Sequence, residues 1–186
     1  MQIKPKLIKK KFFSETDERG VSSAVNFSNL FNDSNYHYQN FSYQFWAHSR
    51  KKMTFRGFHF QREPHEQNKF ILVHAGSLID FAISIDTNLP KTIFIFKVEA
   101  GNILFIPKGF AHAYLCTEEN VVMQYLMDCP YHADSYTGFN GLFLFDSELQ
   151  KKLIISNKDS ALATPNYTSE MFARFQTVAK NYLQST

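Results

Sequence analysis

The chain has 186 residues, which is the size of one ordinary domain. Its 44% hydrophobic and 20% charged residues exclude a disordered chain, and 20 Lys+Arg against 17 Asp+Glu leave a formal charge of +3, too small and scattered for nucleic-acid binding. No apolar run is long enough to span a membrane, segment 1–11 is basic without the apolar stretch of a secretory leader, and the two cysteines, Cys116 and Cys129, exclude a disulfide scaffold and suit a reducing cytoplasm.

In chain order, Ser28–Asp33 reads as a short helix capped by Ser28. A series of β-rich runs follows: Tyr36–Trp46, Thr54–Gln61, Lys69–His74, Ser77–Ile85, Thr92–Val98, Ile103–Ile106, Ala113–Cys116 and Val121–Met127. The breaks carry turn chemistry, as in Ala75-Gly76, Asn88-Leu89-Pro90, Ala100-Gly101-Asn102, Pro107-Lys108-Gly109 and Glu118-Glu119-Asn120. Strands at this spacing predict a β-sandwich, jelly roll or barrel. The last element is a helix over Ser169–Leu183, with Met171, Phe175, Val178 and Tyr182 on one face, expected to pack on the outside of the β-structure. No repeat, linker or low-complexity tract interrupts the chain, so the expectation is one all-β domain, with a core at about 12–160 and a helix at about 169–183.

Two constellations carry chemistry. Gly101-Asn-Ile-Leu-Phe-Ile-Pro107-Lys-Gly109-Phe-Ala-His112 reads strand, turn, histidine, and resembles the second cupin motif, G-x5-P-x-G-x2-H. That resemblance implies a cupin-type jelly-roll barrel with His112 pointing into its mouth. The first cupin motif needs His-x-His, whereas this chain has His59-Phe60-Gln61, and His65-Glu66 lies in a polar turn. Two histidines do not supply the three or four fixed ligands of a tight metal site, so a barrel without metal is expected.

The second constellation is Arg56-Gly57-Phe58-His59-Phe60-Gln61, then Gln67-Asn68-Lys69, then Gly76-Ser-Leu-Ile-Asp80, followed by Ile106-Pro-Lys-Gly-Phe-Ala-His112. These four ordered blocks resemble the nucleotide-sugar 3,5-epimerase family typified by dTDP-4-dehydrorhamnose 3,5-epimerase, over about residues 15–160. The resemblance implies that His59 is the catalytic base, paired with Asp159 of Ser156-Asn157-Lys158-Asp159. It makes Tyr125, 13 residues after His112 (125 − 112), the acid. Lys69 and His112 would line the pocket around the sugar, with Tyr131 as a second pocket tyrosine. Arg56 and Gln44 would hold the diphosphate and its neighbours, and Arg19-Gly20 after Asp17 resembles the family's D-x-R-G. No cofactor is implied. The partners implied are a nucleotide-sugar substrate and a second copy of the chain in a homodimer built through N-terminal strands.

The chemistry agrees with this assignment. A ketone at C4 acidifies the C3 and C5 hydrogens, so epimerisation needs a base on one face of the ring and an acid on the other. Histidine titrates near cellular pH, a buried carboxylate fixes its tautomer, and a lysine supplies positive charge where the enolate oxygen forms. Departures from the family fall at Ser22 and Ala24, at Tyr136 where a glutamate is usual, after Gln44 where only the start of a Q-x-N-x-S-x-S run remains, and at Lys151–Ile154 where a W-P block is missing. They spare the proton-transfer residues and favour an epimerase with an altered nucleotide or sugar. The competing readings are a sugar-nucleotide 3,4-ketoisomerase, a non-catalytic sugar-binding cupin and, least favoured by the ligand set, a metal-dependent cupin oxygenase.

Overall fold

The structure is a computed structural model that describes residues 3–9, 12–27, 40–85 and 91–184. The helix expected at Ser28–Asp33 and the first residues of the strand expected at 36–46 lie outside the described residues. Eight strands form the core: β4 (Tyr43–Ser49), β5 (Phe55–Gln61), β6 (Lys69–Ala75), β7 (Ser77–Ser84), β8 (Ile93–Glu99), β9 (Ile103–Ile106), β10 (Phe110–Cys116) and β11 (Val121–Met127). They pair antiparallel as β9-β6-β11-β4 and β5-β10-β7-β8. Counted from β4 as first, these orders are 6-3-8-1 and 2-7-4-5, the winding of a jelly roll. The cupin-type fold expected from the Pro-x-Gly turn and its histidine is therefore present.

Four peripheral strands fall outside the runs read from residue patterns, although the family resemblance implies strands at the N-terminus. β1 (Lys6–Ile8) extends the first sheet beside β9, and β12 (Tyr136–Gly138) extends the second beside β5. β2 (Phe12–Asp17) and β3 (Gly20–Val25) pair with each other as a separate hairpin. All four are short or polar, and three residues give too little alternation to reveal a strand.

Alternation sorts the core. One cluster, which includes Ile71, Val73, Leu104, Met123 and Tyr125, fills the space between the sheets. A second lies on the outer face of the second sheet, where Ile79, Phe81 and Ile83 meet Phe55, Phe58 and Phe145. β7 is covered on both faces and is buried along its whole length. The covering layer comprises a 3-10 turn at Leu142–Leu144, α1 (Ser147–Gln150), α2 (Asn157–Ser160) and α3 (Ser169–Gln184). α3 is the expected terminal helix, and it does pack outside the barrel, although its buried residues are Phe175 and Ala179 while Val178 faces solvent. The stripe therefore runs i, i+4 from 175 rather than through 178. The Tyr182 hydroxyl accepts from the Lys97 backbone N–H and ties the end of the helix to β8. Among the described residues no helix is long and apolar enough to cross a membrane.

Candidate active site

A cavity of about 480 Å³ opens between the sheets. β5 contributes both Arg56 and His59 to its wall, although residues three apart on a regular strand point to opposite faces. A bulge resolves the conflict. His112 pairs with His59 and Tyr114 with Arg56, so Gly57 and Phe58 together oppose the single residue Ala113. Gly57 has φ +125°, and a Cβ there would lie 2.4 Å from the Cβ of Ala113, so only glycine fits. Phe58 turns the other way, into the outer core, and stacks on Phe139 with ring centroids 4.8 Å apart. The Arg-Gly-Phe-His order is thus a device for aiming a guanidinium and an imidazole into one cavity.

His59 Nε2 lies 2.8 Å from Asp159 Oδ1. Asp159 is 4% exposed and sits in the first turn of α2, where the Ser156 side chain accepts from the Asp159 backbone N–H at 3.1 Å. The Ser156-x-x-Asp159 spacing is thus an N-cap that delivers the carboxylate to β5. The Gly57 N–H donates to Oδ2 at 3.4 Å. Burial alone would raise the carboxyl, but the His59 hydrogen bond and charge, the Gly57 N–H and Lys158 together hold it below the usual carboxylate range. A second close approach supports the imidazole: β12 brings Gly138 opposite His59, and a Cβ there would meet the Phe58 carbonyl oxygen at 2.1 Å.

The facing sheet supplies the other groups. Tyr125 on β11 and Lys69 on β6 line the same cavity from the side opposite His59. Tyr125 is 5% exposed, and burial, with Tyr114 and Asp80 adding to it, pushes its phenol well above 10, so it stays protonated. Phe45 of β4 lies parallel to it, with centroids 4.3 Å apart and planes 9° apart. Lys69 is buried, and desolvation, partly offset by the charge of Asp80, lowers it to about 8. Among the described residues no carboxylate lies within ion-pair distance of its ammonium.

His112 has its own carboxylate: Nε2 lies 2.6 Å from Asp80 Oδ2, and both side chains are buried. Burial raises the Asp80 carboxyl, opposed by the charge and hydrogen bond of His112 and by Lys69. Among the described residues Asp80 Oδ1 has no hydrogen-bond partner. Each cavity histidine is thus committed to a carboxylate, and among the described residues no three His, Cys, Asp or Glu side chains cluster to hold a metal. Gln61, at the position of the second histidine of the first cupin motif, instead clamps two loops. Its amide donates to the His65 and Pro130 carbonyls at 2.6 and 3.1 Å, and its Oε1 accepts from the His132 N–H at 2.7 Å.

Of the nine site residues expected from the sequence, six line the cavity: His59, Lys69, Arg56, His112, Tyr125 and Tyr131. Asp159 stands directly behind His59. The other two do not join them. On β4 the cavity-facing residues are Tyr43, Phe45 and Ala47, so alternation turns Gln44 outward, where its Oε1 accepts from the Gln124 amide at 3.0 Å. Arg19 stands at the exposed tip of the β2–β3 hairpin and pairs with Asp17. Sequence reasoning assigned no site role to Asp80, Tyr114, Phe45, Tyr136 or Lys158. For Asp80 the signal was available: a lone carboxylate inside the apolar run Leu78-Ile79-Asp80-Phe81-Ala82 needs a buried partner.

The dTDP-4-dehydrorhamnose 3,5-epimerase family profile matches residues 5–166. The dTDP-4-dehydrorhamnose 3,5-epimerase of Escherichia coli K12 is 33% identical over 125 residues, covering 63% of this chain and 68% of the relative. That of Sinorhizobium fredii is 34% identical over 89 residues, and the match spans 46% of each chain, less than half the length of that relative. A crystal structure of the Bacillus anthracis dTDP-4-dehydrorhamnose 3,5-epimerase, with TDP and PPi bound, superposes with a TM-score of 0.70 at 27% identity, covering 87% of this chain and 94% of that one. The blocks around His59, Lys69, Asp80 and His112 that build the cavity are those that carry the resemblance, and the chain belongs to the dTDP-4-dehydrorhamnose 3,5-epimerase family.

Proposed function

We propose that the chain inverts C3 and/or C5 of a nucleotide-linked 4-keto-6-deoxy sugar, by proton abstraction and return through an enolate, in deoxysugar or polysaccharide biosynthesis. The observation that carries this reading is the His59–Asp159 pair on one sheet facing Tyr125 across one cavity. His59 removes the proton α to the C4 ketone, and Asp159 stabilises the imidazolium that results. The Lys69 ammonium, which burial brings down to about 8, and the carboxylate-braced His112 meet the charge growing on the C4 oxygen. Tyr125, kept as a phenol by burial, returns a proton to the opposite face. Arg56, which lines the cavity, offers a fork to the diphosphate, and Tyr131, half exposed, forms part of the cavity rim. A nucleotide-sugar substrate accords with the TDP bound by the Bacillus anthracis neighbour.

A cytoplasmic homodimer completes the proposal. The two free thiols, Cys116 and Cys129, suit a reducing compartment. Among the described residues β2 and β3 pair only with each other, and β3 exposes Val21, which a second copy would cover.

The test is incubation of 4-keto dTDP-, GDP- and CDP-sugars in heavy water with mass-spectrometric readout. The expected result is deuterium at C3, C5 or both, abolished in His59→Ala; exchange retained in that variant rejects His59 as the base. A ketoisomerase would move the carbonyl, which NMR of the product distinguishes. Tight sugar-nucleotide binding without exchange at any carbon would mark a non-catalytic cupin.

A further inference from the structure

Tyr136 occupies a position for which the sequence offered only a departure from the family's glutamate. It belongs to β12, two residues before Gly138, and so lies diagonally across from His59 on the adjacent strand. Its ring centroid is 5.4 Å from that of the imidazole, with planes 35° apart. On the same ring sits the Lys158 ammonium, 4.5 Å from the centroid, from the residue preceding Asp159. Tyr131 closes the edge at 5.1 Å. One aromatic ring therefore touches a permanent cation and the group that becomes a cation when it accepts a proton.

The face of a phenol ring is electron-rich and attracts cations within about 6 Å of its centroid. A neutral ring beside His59 favours imidazolium over imidazole without placing a second carboxylate beside Asp159. It also packs against the imidazole from β12, which limits rotation of the ring off the carboxylate. We propose that Tyr136 is a positioning residue, whose ring holds His59 against Asp159 and supports the imidazolium formed when the base takes its proton. This inference rests on the reading of His59 as the base.

The other groups that bear on His59 are Asp159 and Lys158 from α2, His112 from β10 and Arg56 from β5 itself. Tyr131 lies on the rim, and Lys69 and Tyr125 face it across the cavity. Substituting Tyr136 removes none of these charges but releases Lys158 from the ring, so each variant is also titrated in a Lys158→Gln background, where a shift in His59 reports the ring.

The test is an NMR titration of the His59 imidazole in the full-length protein, assigned with His59→Gln, in wild type, Tyr136→Leu, Tyr136→Phe and Tyr136→Trp, each checked for folding by its melting curve. Loss of the ring in Tyr136→Leu is expected to weaken proton binding at His59 about threefold, moving its midpoint about half a pH unit to acid. The acid limb of kcat/KM should follow, and kcat should fall while KM changes little. Tyr136→Phe should restore the midpoint and Tyr136→Trp should raise it. If the leucine variant does not fold, the tryptophan variant carries the test, and a midpoint at or below wild type overturns the proposal. An unmoved midpoint in Tyr136→Leu, or a phenylalanine variant as shifted as the leucine one, overturns it too. Shifted midpoints in a wild-type protein that exchanges no solvent deuterium would instead sink the epimerase reading and leave the positioning role standing.

Discussion

Replacing Lys69 by methionine isolates what the buried ammonium costs the fold. Burial holds Lys69 at about 8 instead of its ordinary 10.5, so at neutral pH the folded state carries a charge that water would solvate better. That difference, at about 1.4 kcal/mol per pH unit, corresponds to roughly 3 kcal/mol of lost stability. The sign follows from proton counting. Between about pH 8 and 10.5 the unfolded chain keeps a proton that the folded chain has released, so stability rises with pH across that window and the penalty disappears above it. Methionine keeps the unbranched shape without the charge. Lys69→Met is therefore expected to gain up to about 3 kcal/mol at pH 7, or roughly 6–12 °C in Tm for a chain of this size. Asp80 loses a stabilising cation in the variant, which trims the gain. Urea unfolding of both proteins at pH 7 and pH 10.5 measures the effect, and deuterium exchange, expected to vanish, measures the functional loss. A variant no more stable than wild type at pH 7, or an advantage undiminished at pH 10.5, refutes the argument that the site holds a destabilised cation.

Two further variants, Asp159→Asn and Gly57→Ala, test the geometry. His59 Nε2 lies 2.8 Å from Asp159 Oδ1, and a hydrogen bond to a charged group contributes about 1.5–3 kcal/mol. Asp159→Asn should therefore lower kcat about 100-fold with little change in KM, measured by single-turnover exchange; a loss under fivefold would mean that the carboxylate's charge is idle. Because the Asp159 carboxyl is held low in the folded state, its contribution to stability is present above about pH 4 and is lost as pH falls through the depressed value, so the asparagine variant should show a shallower acid limb in its melting profile. Gly57→Ala forces a Cβ to within 2.4 Å of the Ala113 Cβ at φ +125°, and urea midpoints should record a loss of about 3 kcal/mol or more; a variant as stable as wild type would contradict the bulge geometry.

How much of this was legible in the sequence depended on the range of the interaction involved. Strands with clean alternation and glycine-marked turns, such as Lys69–His74 and the run ending at His112, could be read locally because period two and turn chemistry are local properties. The aim of individual side chains was not. Gln44 matched a family position, yet β4 presents Tyr43 and Phe45 to the cavity, and only the pairing of Phe45 with Tyr125 fixes that parity. Conversely, Arg56 and His59 both reach the cavity only through the bulge at Gly57, which no periodicity predicts. The carboxylate partners are distant in sequence, 100 residues apart for His59–Asp159 and 32 for His112–Asp80. Asp159 sits in a stretch that reads as polar loop, because a four-residue helix is too short to show a face. The resemblance to known epimerases located Asp159; the three-dimensional fold was needed to find the Asp80 pair and the ring of Tyr136.

The placement of Asp159 also bears on how the protein is made. Its carboxylate arrives 32 residues after the last core strand ends at Met127 (159 − 127). During synthesis every strand of the barrel emerges from the ribosome before the group that braces the base. A nascent chain whose emerged part ended near residue 140 would carry Lys69, His112 and Tyr125, but with His59 unbraced and the outer face of β7 still uncovered. Competence would then be acquired at the final docking event, when the short capped helix settles behind β5, and a translation-arrest series assayed for solvent exchange would register a step rather than a gradual rise.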